Sequence, residues 1–195
     1  ERRYVLALAL RALKVGGRLD VMAPKDKGGS RLGKELKAFG VEVAELDPDQ
    51  STFTARFTAK GVDFIERHKD RPFLLYLPHV MPHVPIFASA KFKGRSSRGL
   101  YGDVVEELDD AIGTLLAKLR DTGLEQNTIV LVTGDHAEEF NDLKLNYWGH
   151  NGNFSNYQLQ VPFVLHWPGQ AGGRDARVSS HEDWVPTLMR HGLGC

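Results

Sequence analysis

Asp135 and His136 follow an apolar run, Ile129 to Val132, from which only Thr133 and Gly134 separate them. Carboxylate and imidazole are the donor types that hold zinc or a similar divalent cation. A second imidazole, His150, lies in Tyr147 to Asn153, a glycine- and asparagine-containing stretch tight enough to present one side chain, and Glu138, Glu139 and Asp142 add negative charge in between. The chemistry such a group could perform is polarisation of an ester oxygen by a bound metal. A metal-free reading fits the same residues. Asp135 followed three positions later by Glu138 has the spacing of a helix capping box, and His150 taken alone can be a loop histidine bonded to backbone.

Two further histidines, His79 and His83, sit in a loop with Pro78, Pro82 and Pro85. Each proline ring fixes its φ angle, so the loop is stiff. An imidazole there could donate a proton to a leaving oxygen or bind an anionic group, because its ordinary pKa is near neutrality; the alternative is that both rings only pack. Gly28 to Lys34 matches Gly-x-x-x-x-Gly-Lys, but Glu35 stands where a phosphate loop needs Ser or Thr, and its charge would repel phosphate. Nucleotide binding is therefore not expected.

The elements that would position these groups are readable from periodicity. Ile129 to Val132 lacks polar alternation, as does Val161 to His166, and both read as strands buried on two faces of a parallel sheet. Pro72 to Leu77 reads as another. Asp135 and His136 then fall at a strand's carboxyl end, the edge at which open α/β sheets bind ligands. Val105, Leu108, Ile112, Leu115, Leu116 and Leu119 keep helical spacing within Val104 to Leu119, and Phe57 to His68 and Trp184 to Met189 also read as helical. Upstream, helices are expected at Tyr4 to Leu13 and Arg31 to Phe39, with strands at Arg18 to Ala23 and Val41 to Ala44, giving a helix followed by a βαβ-like unit. Asp47, Pro48 and Asp49 form a break, placing a boundary near Leu46. Lys91 to Arg98 holds four basic residues and no acid, the pattern of a solvated loop or, less commonly, of an anion site.

The composition is that of a globular protein, 42% hydrophobic and 26% charged over 195 residues. Lys plus Arg equals Asp plus Glu at 25 each, so no global field points to nucleic acid or to an anionic membrane. The single cysteine, Cys195, cannot form an internal disulfide. No apolar run approaches the length of a membrane span, and no cleavage pattern follows Val5 to Leu10, so neither an anchor nor an export signal is expected in these residues.

Between Asp47 and Gly134 several stretches closely resemble arylsulfatases: Pro48 to Thr52, Arg71 to His79, Met81 to Pro85 and Arg98 to Asp103. The resemblance implies that His83 corresponds to the catalytic histidine beside the sulfate and leaving group. From Gly134 onward, Gly134 to Asp142, Asn146 to Asn151, Gln160 to Pro162 and His166 to Gly169 resemble another branch of the alkaline phosphatase superfamily, the membrane-anchored sulfatase-like proteins of Gram-negative inner membranes. In that superfamily, phosphatases and phosphoethanolamine transferases use an Asp-His pair as zinc ligands, where soluble arylsulfatases have Asp-Asn and calcium. The resemblance thus implies Asp135 and His136 as metal ligands, with zinc favoured over calcium. His150 stands where many arylsulfatases carry a sulfate-contacting lysine, which makes His150, with His79, an expected substrate contact. Residues 1 to 46 are similar to a late segment of class I methyltransferases acting on ribosomal RNA, without the family's glycine-rich loop or catalytic motif, so no methyl transfer is expected.

These 195 residues contain no Cys- or Ser-x-Pro-Ser-Arg motif, the source of the sulfatase nucleophile. The expected architecture is α/β, a mostly parallel sheet flanked by helices in an alkaline phosphatase-like partial domain. Residues 1–46 would form a methyltransferase-like segment covering an open sheet edge, and 47–195 a sulfatase-like partial domain. The expected function is a metal-assisted half-site for sulfuric or phosphoric ester hydrolysis, weakly active or inactive. The alternative is a non-catalytic composite or designed scaffold with a vestigial metal cleft. The partner would be a sulfate or phosphate ester, with neither nucleic acid nor a membrane segment, and the resemblance suggests the bacterial periplasm or another extracytoplasmic location.

Overall fold

The computed structural model describes residues 20–24, 42–46, 49–152 and 154–192. The helices expected over 4–13 and 31–39, and the glycine motif over 28–34, lie outside them. Strands β1 (Asp20–Pro24) and β2 (Glu42–Leu46) pair in parallel, with Asp20 opposite Glu42 and Pro24 opposite Leu46. The chain divides into two compact units between Leu115 and Leu116.

In the first unit, Asp49 shapes the entry to the first helix. Its carboxylate accepts from the Ser51 amide at 3.0 Å and the Ser51 hydroxyl at 2.7 Å, shaping a short turn over Gln50–Thr52 that leads into helix α1 (Phe53–His68). Burial of Phe53, Phe57, Gly61 and Ile65 marks one face at intervals of four residues. Gly61 allows a close approach there: a Cβ would lie 2.8 Å from a Leu115 methyl and 3.1 Å from one of Leu77, so those side chains would have to shift. Phe53 and Phe57 pack with Leu77 and Val80. A second cluster joins Met81, Ala88, Phe92 and Val104, with Ile86 and Leu108 against it.

Helix α2 (Gly99–Asp121) is the amphipathic helix expected from the sequence, with Leu108 and Leu119 on the packed face as expected and Val105 outside it. Val104, Ala111 and Leu119 are buried, whereas Val105 is 45% exposed. The buried carboxylates of Asp103 and Glu107 occupy the same face, because both bind loop amides.

The expected mostly parallel sheet is not found. Strand β3 (Val130–Thr133) pairs antiparallel with β6 (Phe163–His166), from Val130 opposite His166 to Thr133 opposite Phe163. A second antiparallel pair, β4 (Glu139–Phe140) with β5 (Trp148–Gly149), puts Glu139 opposite Gly149. Only β1 and β2 run in parallel among the described strands. An unbroken aliphatic run records that both faces can be apolar; it carries no information on the direction of the neighbouring strand. The inference of complete burial also fails, since Phe163, Val164 and Leu165 are 45%, 61% and 42% exposed. Residues 72–77, expected as a strand, join no ladder among the described residues, and Leu74 is 85% exposed.

Helix α3 (Asn156–Leu159) is a single turn, and helix α4 (His181–Thr187) opens where the Asp183 carboxylate accepts from the Ser180 amide at 2.7 Å. No helix among the described residues is long and apolar enough to cross a membrane.

Candidate metal site in the second unit

The Asp-His pair stands where the sequence puts it, just past the carboxyl end of β3. No helix follows, so the capping-box reading falls: residues 135–138 bend and run into β4, and the Asp135 carboxylate accepts from the next amide, that of His136, at 3.1 Å. His181 Nε2 bonds the Gly134 carbonyl at 2.7 Å, which ties the start of α4 to this bend.

The β4–β5 hairpin does the positioning. Its loop closes through the Asn141 side-chain oxygen, which accepts from the Asn146 amide at 2.7 Å, and Asn141, Lys144 and Asn146 take positive φ angles of 60°, 58° and 55°. Asparagine tolerates that region better than most side chains. With Glu139 opposite Gly149, the next step outward in the same register brings Glu138 opposite His150. Glu138 Oε1 and His150 Nδ1 are accordingly 2.5 Å apart, both partly buried.

The His150 ring stacks on that of His136, with centroids 3.8 Å apart and planes at 29°. One donor atom from each of His136, Glu138 and His150 lies within 4.8 Å of the other two. Two imidazoles and a carboxylate form the His₂Glu set that binds zinc in one class of catalytic sites. Ligands of a tetrahedral zinc stand about 3.3 Å apart at metal–ligand distances near 2 Å, so small rotamer changes would close this set around an ion. The donor set therefore fits a divalent metal, and its geometry alone does not separate zinc from calcium.

Adjacent strand residues point to opposite faces, which separates the two glutamates. Glu138 joins the imidazoles, whereas Glu139 is fully buried and accepts from Ser155 Oγ at 2.9 Å and Gln158 Nε2 at 3.0 Å. Asp142 is likewise engaged locally, accepting from the Phe140 amide at 2.7 Å. Asp135 is 86% exposed and its Oδ2 is 3.8 Å from His136 Nε2, at the edge of the three-residue set. Sequence reading named Glu138 as a capping-box partner of Asp135 and as added charge; the alternation of a short strand was the available signal for its role beside the imidazoles. Tyr147 fixes the far side of the loop by accepting from the Asn151 amide at 2.7 Å, and Gly152 leaves room for its ring, which a Cβ would meet at 2.3 Å.

The two remaining candidate histidines, His79 and His83, belong to the first unit. His83 is exposed, and its Nδ1 bonds the Val84 carbonyl at 2.6 Å. Nδ1 must carry the proton in that bond, which leaves Nε2 facing outward. His79 lies against Phe57, with ring centroids 5.9 Å apart, and both its nitrogens are buried with no hydrogen-bond partner among the described residues. Burial pushes the His79 imidazole below its ordinary pKa. Its folded form stays neutral while the unfolded chain protonates, so its contribution to stability is present above about pH 6.5 and is lost as pH falls below that value. Denaturant midpoints measured across this range should fall toward acid, at no more than about 1.4 kcal/mol per pH unit from this residue. In His79→Leu that part of the slope should vanish; an unchanged slope would remove the assignment.

A sulfatase family profile matches residues 21–194, beginning inside the segment likened to methyltransferases. Rat steryl-sulfatase is 34% identical over 160 residues, covering 76% of this chain and 28% of its own length. Human arylsulfatase D is 36% identical over 143 residues, covering 67% and 24%. Among solved structures, the PsFucS1 sulfatase from Pseudoalteromonas sp. superposes with a TM-score of 0.53 at 23% identity over 66% of this chain and 27% of that one. The lipoteichoic acid synthase LtaP from Listeria monocytogenes gives 0.53 at 19% identity, covering 84% and 47%, a likeness of fold alone. The chain spans less than a third of the curated relatives it matches. With the family match running over nearly all of its residues, the chain belongs to the sulfatase family.

Proposed function

We propose that the chain carries a metal-dependent half-site for hydrolysis of sulfuric esters, with phosphoric esters as the second substrate class. The observation that carries this reading is the convergence of His136, Glu138 and His150 on one point in a member of the sulfatase family. These three residues would hold the cation, and Asp135 would complete the set by a turn of its exposed side chain. Two imidazole donors favour zinc over calcium, which takes oxygen ligands. When bound, the cation supplies Lewis-acid charge at the ester oxygens.

For His83 the proposed role is proton donation. With Nδ1 held by Val84, the transferable proton of the imidazolium is the one on Nε2. His150 is proposed to serve substrate through the cation it holds, since its Nδ1 already faces Glu138. A substrate contact from His79 would require its ring to turn out from Phe57. Turnover is proposed to be weak, because the nucleophile motif of sulfatases does not occur in these 195 residues.

Hydrolysis of 4-nitrophenyl sulfate by the zinc-loaded chain, before and after chelation, tests the reading. Slow turnover that chelation abolishes is expected. His83→Gln should slow an alkyl sulfate far more than the nitrophenyl ester, whose leaving group needs little protonation. Hydrolysis indifferent to chelation, or absent from the zinc-loaded chain, would overturn the hydrolytic reading in favour of a non-catalytic metal-binding module.

A further inference from the structure

The bend that carries Asp135 and His136 joins no ladder among the described residues: β3 ends at Thr133 and β4 begins at Glu139. Two hydrogen bonds from elsewhere in the second unit bracket it. Behind the pair, His181 Nε2 meets the Gly134 carbonyl at 2.7 Å across 47 residues of sequence; ahead of it, the Ala137 amide donates to the Gln158 carbonyl at 3.0 Å. A carbonyl only accepts, so His181 Nε2 carries the proton. Among the described residues, the other hydrogen bonds of residues 134–137 are local. Thr133 Oγ1 donates to the Gly134 carbonyl at 3.3 Å, the Asp135 carboxylate takes the His136 amide at 3.1 Å, and His136 Nδ1 donates to the Ala137 carbonyl at 3.2 Å. These shape the turn without fixing it to the rest of the unit, and the last leaves the His136 lone pair on Nε2.

The His181 ring is itself held in place. His181 opens α4, and its ring meets that of Trp184 one turn on, with centroids 6.3 Å apart and planes at 63°. The bend is also tight at the residue His181 holds: a Cβ at Gly134 would stand 3.1 Å from the His136 carbonyl oxygen and 3.7 Å from a Val161 methyl. A shift of Gly134 is therefore passed on to His136. Because His181 is exposed and water competes for its bond, the contact adds little to folding. What it controls is where Asp135 and His136 stand.

We infer that, granted the metal reading proposed above, His181 is a positioning residue of the metal site, holding the bend where His136 meets Glu138 and His150. Zinc affinity of the full chain, by competition with a chromogenic chelator, tests this, with the visible spectrum of the cobalt-loaded chain as a second readout of the ligand set. His181→Phe keeps a ring against Trp184 and removes the donor; a loss on the order of tenfold is expected, the low end for partners that orient a ligand. His181→Gln places an amide donor near the same point and should restore most of the affinity together with the cobalt spectrum. Denaturant midpoints of the metal-free variants should stay close to that of the unaltered chain, which sets positioning apart from damage to the fold. Since His181 acts through His136, adding His181→Phe to His136→Ala should cost nothing further, whereas adding it to Glu138→Gln should still cost its full factor. Full zinc affinity in His181→Phe, a loss that His181→Gln shares, or equal losses in both backgrounds would overturn the assignment and leave the metal site standing. An unaltered chain that takes up no zinc would overturn the metal reading and this assignment together.

Discussion

His150→Ala is expected to weaken zinc binding about a hundredfold or more, which a competition titration against a chromogenic chelator would measure. Loss of partners that merely orient a ligand costs roughly 10- to 100-fold in metal affinity, and His150 does more than orient. It supplies a donor atom, it faces Glu138 at 2.5 Å, and its ring stacks on His136 at 3.8 Å. Its removal leaves two donors and frees both from the contacts that aim them. Glu138→Gln keeps a hydrogen-bonding oxygen and loses the charge, so a smaller loss is expected. Asp135→Ala should cost least, on the order of tenfold, since Asp135 is exposed and reaches His136 only at 3.8 Å. The reverse ranking, with Asp135 indispensable and His150 dispensable, would return the metal to the adjacent Asp-His pair that the family resemblance implies.

That ranking marks where sequence reading stopped. Gly134, Asp135 and His136 are legible as the end of a strand because apolar run, turn residue and polar pair are contiguous. The partnership of Glu138 with His150 is not, because it is set by the register of a hairpin closed through Asn141 and Asn146, and register depends on a turn geometry that the residue types only permit. The same limit explains the strand directions. Ile129 to Val132 and Val161 to His166 announce two strands, but whether the second returns antiparallel depends on the path of the residues between them. In α2 the helical period was clear and one position was misplaced: Val104, not Val105, is buried, because the packed face is widened by Asp103 and Glu107, charged residues that a hydrophobic pattern assigns to solvent. Buried carboxylates become legible only once the amides they accept from are known.

Gly102→Ala is expected to destabilise the first unit by about 1–3 kcal/mol, the range for forcing extra volume into a packed site, and denaturant unfolding would read it. A Cβ at Gly102 would stand 2.2 Å from Ser96 Oγ, 2.7 Å from Arg98 Cβ and 2.8 Å from Ser96 Cβ. The hydroxyl could rotate away, but two Cβ atoms move only with their backbone. That backbone is held by Asp103, the next residue, through the amides of Gly94, Arg95 and Ser96. Relief of the clash must therefore lengthen the same bonds that keep the Asp103 carboxyl below its ordinary pKa. The Ser96 amide contributes most to that depression, followed by Gly94; burial opposes it and the Arg95 amide adds to it. A carboxyl whose folded pKa is depressed stabilises the chain above its unfolded pKa, about 3.9, and that contribution is lost as pH falls through the lower folded value. Gly102→Ala should consequently remove part of the acid-side slope of stability as well as lowering its plateau. A variant that lowers the plateau while keeping the full slope would show that the loop moves without disturbing Asp103, and would uncouple the close approach at Gly102 from the carboxylate that organises the basic segment.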